Sequence, residues 1–189
     1  MDCSRKRVIA TQNTRRSFLK YTSAVAVASA FPQLIHANTS SSSERTLEFV
    51  NLHTDESVRS CYWTKGEYNP DALAEINHIL RDHRANEIVE MDARLLDLLH
   101  IIHQTANSQA PFHVISGYRS PHTNEKLRKQ GNGVAKRSLH MQGKAIDIRL
   151  PDIELKQLRD VALSLNAGGV GYYAKSNFIH IDIGRPRSW

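Results

Sequence analysis

The sequence predicts an α+β protein, a small antiparallel sheet with flanking helices. Three observations carry this. Two alternating runs, TLEFVNLHT and ESVRSCYW, stand close enough to pair as a hairpin. Two runs at helical spacing follow one after the other. After Pro111 the period changes, and strands and helices lead to a last pair of short strands, GGVGYY and FIHIDIG. Helices and strands are partly segregated, which speaks against a doubly wound α/β chain.

Each element has its own local reason. Asn69-Pro70-Asp71 reads as a helix start, and Leu73, Ile76, Ile79 and Leu80 keep helical spacing, so a helix is expected to about Arg84. A second helix is expected from Met91-Asp92. It carries Leu95, Leu96, Leu98, Leu99, Ile101 and Ile102, dense enough for a core helix. FHVISGY reads as a strand ending in a glycine turn. SPHTNEKLRKQ is a short helix opened by Ser120 and Pro121. GNGVAKRS is a loop, AIDIRL a strand and ELKQLRDVALSLN an amphipathic helix. The last two strands join at a turn around Lys175-Ser176-Asn177.

The first 37 residues read as an export signal. TRRSFLK is a charged head, YTSAVAVASAFPQLI a short apolar run, and HANTSSSSE a polar exit. Arg15-Arg16 followed by Phe18-Leu19-Lys20 resembles the twin-arginine signal of proteins exported already folded. Cleavage is expected after Ala37, with Ala30 as the alternative; an uncleaved N-terminal anchor is the rival reading. Residues 38–45 form a Ser-rich linker, and 46–189 form one domain.

The signal also explains the charge. The chain has 25 Lys and Arg against 19 Asp and Glu. Removing residues 1–37 takes away six basic residues and one acid, which leaves 19 against 18, a net charge of +1. Nothing clusters positive charge on the domain, so nucleic acid is not an expected partner. The apolar run is Ala- and Ser-rich, and no stable membrane insertion is expected after cleavage. Cys3 leaves with the signal. Cys61 alone makes neither an intramolecular disulfide nor a Cys-rich zinc site. A monomer is expected.

Three polar residues sit inside apolar strands. Asp147 lies between Ile146 and Ile148, while His180 and Asp182 alternate with Ile179, Ile181 and Ile183. Strand side chains alternate faces, so the isoleucines turn to the core and His180 and Asp182 share the other face. A carboxylate beside a core strand needs a partner. His140 stands seven residues before Asp147, on a loop narrowed by Gly143 and Ala145. Two imidazoles and one carboxylate suit Zn²⁺ with a fourth position left for water. The same residues also suit plainer roles: Asp147 a salt bridge to Arg149 or Lys144, His180 and Asp182 a hydrogen-bonded pair.

The pattern S-x-H-x-x-G-x-A-x-D, matched by Ser138, His140, Gly143, Ala145 and Asp147, together with the later His180 in FIHIDIG, resembles the zinc peptidases of the M15 group. That group includes D-Ala-D-Ala carboxypeptidases and LAS-type peptidoglycan hydrolases. SGYRSPHTN is similar to a second motif of the group. The resemblance implies the LAS fold, a zinc ion on His140, Asp147 and His180, and cleavage of peptide crosslinks between peptidoglycan stem peptides, 3-3 diaminopimelate and D-Ala–diaminopimelate bonds included. It implies that Arg119 binds a substrate carboxylate or the oxyanion. It also implies a periplasmic enzyme delivered by the twin-arginine machinery. The alternatives are a carboxypeptidase trimming D-Ala, or a zinc-bearing peptidoglycan-binding module without activity. The chain departs from the group where a catalytic acid is usual: Asn177 and Phe178 stand at the positions three and two before His180. Asp182 is left as either the general base or a group that orients His180.

If the twin-arginine reading is right, changing both Arg15 and Arg16 to Lys leaves precursor in the cytoplasm. Cell fractionation showing normal export of that variant would defeat it.

Overall fold

The structure, a computed structural model, describes residues 44–131 and 134–189. The expected export signal, its cleavage site and most of the Ser-rich linker lie outside the described residues. No helix among the described residues is long and apolar enough to cross a membrane.

The described residues form an eight-stranded sheet with four α-helices. Strands β1 (Glu44–Asn51) and β2 (Ser57–Thr64) make the expected hairpin, with Phe49 opposite Val58. A two-residue strand, β3 (Glu67–Tyr68), extends its edge. Helices α1 (Pro70–Ile79) and α2 (Ala93–Thr105) follow, and the chain returns as β4 (Phe112–Ser116). After α3 (Pro121–Lys129) come β5 (Ala145–Arg149), α4 (Leu155–Ser164), β6 (Gly169–Tyr173), β7 (Phe178–Asp182) and the two-residue β8 (Arg187–Ser188). The order across the sheet is β3-β2-β1-β4-β5-β7-β6-β8.

The sheet is mixed, which corrects the antiparallel expectation. β1 and β4 run parallel, with Phe49 beside Phe112, and β6 and β8 run parallel as well. The first follows from the long crossover: two helices lie between β1's hairpin and β4, enough chain to bring the next strand back in the same direction. The second follows from the turn after β7, which carries the chain back alongside the far edge of β6.

Helix α1 is shorter than expected. Asn69 caps it, its side-chain oxygen accepting from the Asp71 and Ala72 backbone N–H groups. A helix reaching Arg84 would need the Leu80 carbonyl as the acceptor for Arg84. That carbonyl instead accepts the Tyr118 N–H at 2.7 Å. The buried Asp82 takes over beyond it, Oδ1 accepting from the Arg84 and Ala85 N–H groups and Oδ2 from that of Ser120. A long-range contact thus ends the helix where local periodicity would continue it.

Asp92 caps α2, whose Leu95, Leu96, Leu98, Leu99 and Ile102 are buried; Ile101, 46% exposed, lies on the outer side. One continuous core joins these residues to Phe49 and Phe112, to Ile146 and Ile148 of β5, to Ile179 and Ile181 of β7, and to Leu158 of α4. Each such aliphatic side chain contributes about 1.5–3 kcal/mol by leaving water. The isoleucines therefore fix which face of β5 and β7 is left for polar residues.

The segment before β5 is a single 3-10 turn, Leu139–Gln142, capped by Ser138. It ends at Gly143, whose φ of +65° is the left-handed region. The Gly143 carbonyl accepts the Asp92 N–H at 2.9 Å, and a Cβ there would lie 2.6 Å from the Glu90 carbonyl oxygen. Both the conformation and the close backbone approach require glycine. Gly143→Ala is expected to cost at least about 1–2 kcal/mol from the left-handed conformation alone, read as a lowered urea midpoint. An unchanged midpoint would show that the turn tolerates a side chain.

Candidate metal centre

The register of β5 and β7 builds the site. Asp147 stands directly opposite His180, and Ala145 opposite Asp182. On the other side of β7, Gly171 is opposite His180 and Gly169 opposite Asp182. With the isoleucines turned to the core, Asp147, His180 and Asp182 share the outer face with small residues around them. The 3-10 turn carries His140 over this face.

Asp147 Oδ1 lies 2.9 Å from His180 Nδ1 and 3.3 Å from His140 Nε2, and the two nitrogens are 3.2 Å apart. These three residues form a possible metal site. The outward nitrogen of each imidazole is fixed by an acceptor. His140 Nδ1–H donates to the Gly117 carbonyl at 2.7 Å, and His180 Nε2–H donates to Asp182 Oδ2 at 3.0 Å. A carbonyl can only accept, so the His140 nitrogen facing Gly117 carries a proton; His180 lies between two carboxylates, Asp182 at Nε2 and Asp147 at Nδ1, and in the tautomer protonated on Nε2 its Nδ1 is free to ligate. In that state both inward nitrogens present lone pairs to each other and to a carboxylate oxygen. Three acceptors within 3.3 Å suit a cation between them. A tetrahedral ion with bonds of about 2.0–2.1 Å to nitrogen and oxygen would hold its ligand atoms about 3.3 Å apart, which matches this spacing.

The carboxylates here favour positive charge, be it an ion or a proton on His180. Burial pushes the Asp147 carboxyl up, but His140 and His180 more than offset it and hold the group well below the usual carboxylate range. Burial likewise opposes a charged His180, yet Asp147 and Asp182 raise its imidazole above its ordinary value. Asp147 has a cationic neighbour in Arg119, Nη2 at 3.6 Å from Oδ2, rather than in Arg149 or Lys144.

Arg119 follows the end of β4. Its backbone N–H donates to the His140 carbonyl and its Nη2 to Ser116 Oγ. Its Nε is buried without a hydrogen-bond partner. Desolvation pulls the guanidinium below its ordinary value, although Asp147 works the other way. The guanidinium lines the same cleft as the acceptor cluster, which suits it to an anionic or carbonyl oxygen from outside.

Asp182 is fully buried and saturated. Oδ1 accepts from the N–H groups of Gly169 and Gly184 and from Arg187 Nη1; Oδ2 accepts from His180 Nε2 and Arg187 Nη2. It touches the nitrogen of His180 that faces away from the three converging atoms. Asn177 closes the turn before β7 in the left-handed conformation and does not line the cleft. Arg119, His140, Asp147, His180 and Asp182 all line this cleft of about 270 Å³, whose wall runs from Arg119 to Trp189. Its carboxylates are Asp147 and Asp182.

From the sequence Arg187, like Arg185, is only a basic neighbour with which Asp182 could pair, and Trp189 and Tyr173 are unassigned. Trp189 packs on His180 with ring centres 5.3 Å apart, and its indole N–H donates to the Tyr173 hydroxyl. The signal for this segment was present: Gly169 and Gly171 alternate with Val170 and Tyr172 in β6, leaving the outer face of that strand without side chains before Tyr173.

The model of the M15_2 peptidase family, described as Peptidoglycan L,D-endopeptidase MepK, matches residues 39–189. The Peptidoglycan L,D-endopeptidase MepK of Escherichia coli (strain K12) is 41% identical over 175 residues, 93% of this chain and 96% of that protein. The "Probable peptidoglycan L,D-endopeptidase MepK" of Haemophilus influenzae is 38% identical over 162 residues, 85% of this chain and 87% of that protein. A solved structure, the L-Ala D-Glu endopeptidase ChiX of Serratia marcescens, overlaps 50% of this chain and 68% of its own at 19% identity and a TM-score of 0.35, too low to support an inference about fold. The family match across the whole described domain, with 41% identity over nearly the full chain, places this protein in the M15_2 peptidase family and makes it a hydrolytic enzyme.

Proposed function

We propose that this enzyme is a zinc-dependent peptidoglycan endopeptidase acting in the periplasm. Its substrates are peptide crosslinks between stem peptides, both 3-3 diaminopimelate and D-Ala–diaminopimelate bonds. The observation that carries the reading is the convergence of His140 Nε2, Asp147 Oδ1 and His180 Nδ1, each outward imidazole nitrogen already committed to an acceptor. The E. coli relative's description supports the substrate class. The Arg15-Arg16 signal supports export by the twin-arginine route.

In this reading His140, Asp147 and His180 hold the ion, and the donor set of two nitrogens and one oxygen suits zinc with an open position. Zinc held there would acidify a bound water to a pKa of about 7 and polarise the scissile carbonyl. The chain's own residues do the rest. Gly117 and Asp182 keep the two rings aimed inward by holding their outer protons. Arg119 brings its guanidinium to the same cleft and stabilises the negative charge that develops on the carbonyl oxygen, or binds a neighbouring substrate carboxylate. Asp182 acts as the group that orients His180, because both its oxygens are occupied and it faces away from the ligand atoms. That leaves the proton acceptor outside the carboxylates of this cleft.

Incubation of the purified mature domain with crosslinked muropeptides tests the activity. Monomers released from crosslinked dimers are the expected products. Loss of terminal D-Ala alone would mean a carboxypeptidase, and unchanged substrate would remove the proposed activity.

The domain is expected to hold about one zinc per chain. His140→Ala and His180→Ala should each lose metal and activity together, because two remaining ligands hold zinc poorly against buffer. Full zinc retention by both variants in metal analysis would rule out the triad.

Arg119→Ala should keep zinc and fold while turnover drops ~10²–10³-fold, the usual loss for one charge-stabilising donor. Turnover near that of the wild type would reduce Arg119 to a residue that shapes the turn.

A further inference from the structure

We propose that Arg187 is a positioning residue of the metal centre: its guanidinium grips Asp182 with two hydrogen bonds and thereby fixes the carboxylate that aims the His180 ring. The inference rests on the metal reading above and extends it to a residue that touches none of the three ligand side chains.

The geometry is a linear relay. Arg187 Nη2 donates to Asp182 Oδ2 at 2.6 Å and Nη1 to Oδ1 at 3.0 Å. Asp182 Oδ2 in turn accepts from His180 Nε2 at 3.0 Å. Oδ1 has two further donors, the backbone N–H groups of Gly169 and Gly184. Oδ2 has only His180 and Arg187. Without the fork, the carboxylate is free to pivot about Oδ1, and the oxygen that holds the imidazole loses its second anchor. A planar guanidinium sets both oxygens at once, which a lysine ammonium cannot do.

The fold makes room for this fork and holds it. A Cβ on Gly169 would lie 2.3 Å from Arg187 Nη1 and 2.4 Å from Asp182 Oδ2. One on Gly171 would lie 2.7 Å from the Trp189 ring. Two glycines on the outer face of β6 thus form the bed in which Arg187 and Trp189 lie. Backbone pairing with β6 fixes the segment, Tyr172 N–H donating to the Trp189 carbonyl and Trp189 N–H to that of Val170. The guanidinium also lies 4.9 Å from the centre of the Trp189 ring. Four separate features, the two glycines, the β8 pairing and the indole, converge on one side-chain position. A surface salt bridge needs none of them.

The test compares zinc affinity, by chelator competition, in wild type, Arg187→Lys, Arg187→Ala and His180→Ala. Unfolding of the metal-free proteins is followed in parallel. Arg187→Lys keeps the positive charge and is expected to unfold near the wild-type midpoint yet bind zinc about tenfold more weakly. Arg187→Ala should lose ~10–100-fold, the range for removing a group that orients a ligand. Excess zinc should restore the turnover of the Lys variant with KM unchanged. Wild-type zinc affinity in Arg187→Lys overturns the proposal, since the fork is then dispensable. If His180→Ala loses zinc while Arg187→Lys does not, only the role of Arg187 falls. If wild type itself binds no zinc, the metal reading falls, and this proposal with it.

Discussion

The pairing of β5 with β7 at Asp147 and His180 is the constraint on which the rest of the molecule depends. Both strands bury isoleucines on one face, and the antiparallel register sets the two polar residues opposite each other on the other. A slip of one residue would exchange the faces of a strand, putting a carboxylate or an imidazole into the core and isoleucines into the cleft. The hydrophobic core therefore specifies the candidate metal centre indirectly. Every aliphatic contact that α4 makes with β7 also stabilises the register that brings these polar residues together.

Around this pair the chain distributes charge so that no buried ion stands alone. Asp182 has five donors, and Asp147 has two imidazoles and a guanidinium nearby. The contrast between them is informative. Asp182 is saturated by protein groups and so is fixed; Asp147 shares Oδ1 between two imidazoles and has only Arg119 near Oδ2. Arg119 differs again, keeping one buried donor unused. Stability alone would remove such loose ends, because an unpaired buried polar group costs about 1–3 kcal/mol. Arg119 places one of them at the cleft.

Much of this was legible in the sequence because its cause is local. Alternation in FIHIDIG separates His180 and Asp182 from the isoleucines, and Asn69, Asp92 and Ser120 announce the helix starts they cap. What was not legible depends on partners distant in the chain. Leu80 ends α1 because Tyr118, far along the sequence, takes its carbonyl. The direction of β4 against β1 is set by the crossover, not by the composition of either strand. β8 is too short for any periodic signal, and the fork of Arg187 on Asp182 follows from a reversal of the chain that no spacing rule records. The role of Asp182 is open from alternation alone, and its five donors support the orienting role proposed for it.

The wall of the cleft runs only from Arg119 onward, although β1, β2, α1 and α2 build much of the core. The two halves of the domain are therefore exposed to different kinds of mutational pressure. Changes before Arg119 reach the chemistry through the abundance of folded protein, and one or two kcal/mol lost there alters how much enzyme survives rather than what each molecule does. Changes after it can alter turnover at full abundance. A survey of variants that measured protein level and hydrolysis separately would divide along the chain near this residue. The exceptions would be few and specific: positions such as Leu80 and Glu90 that lie in the first half but press on the glycines framing His140.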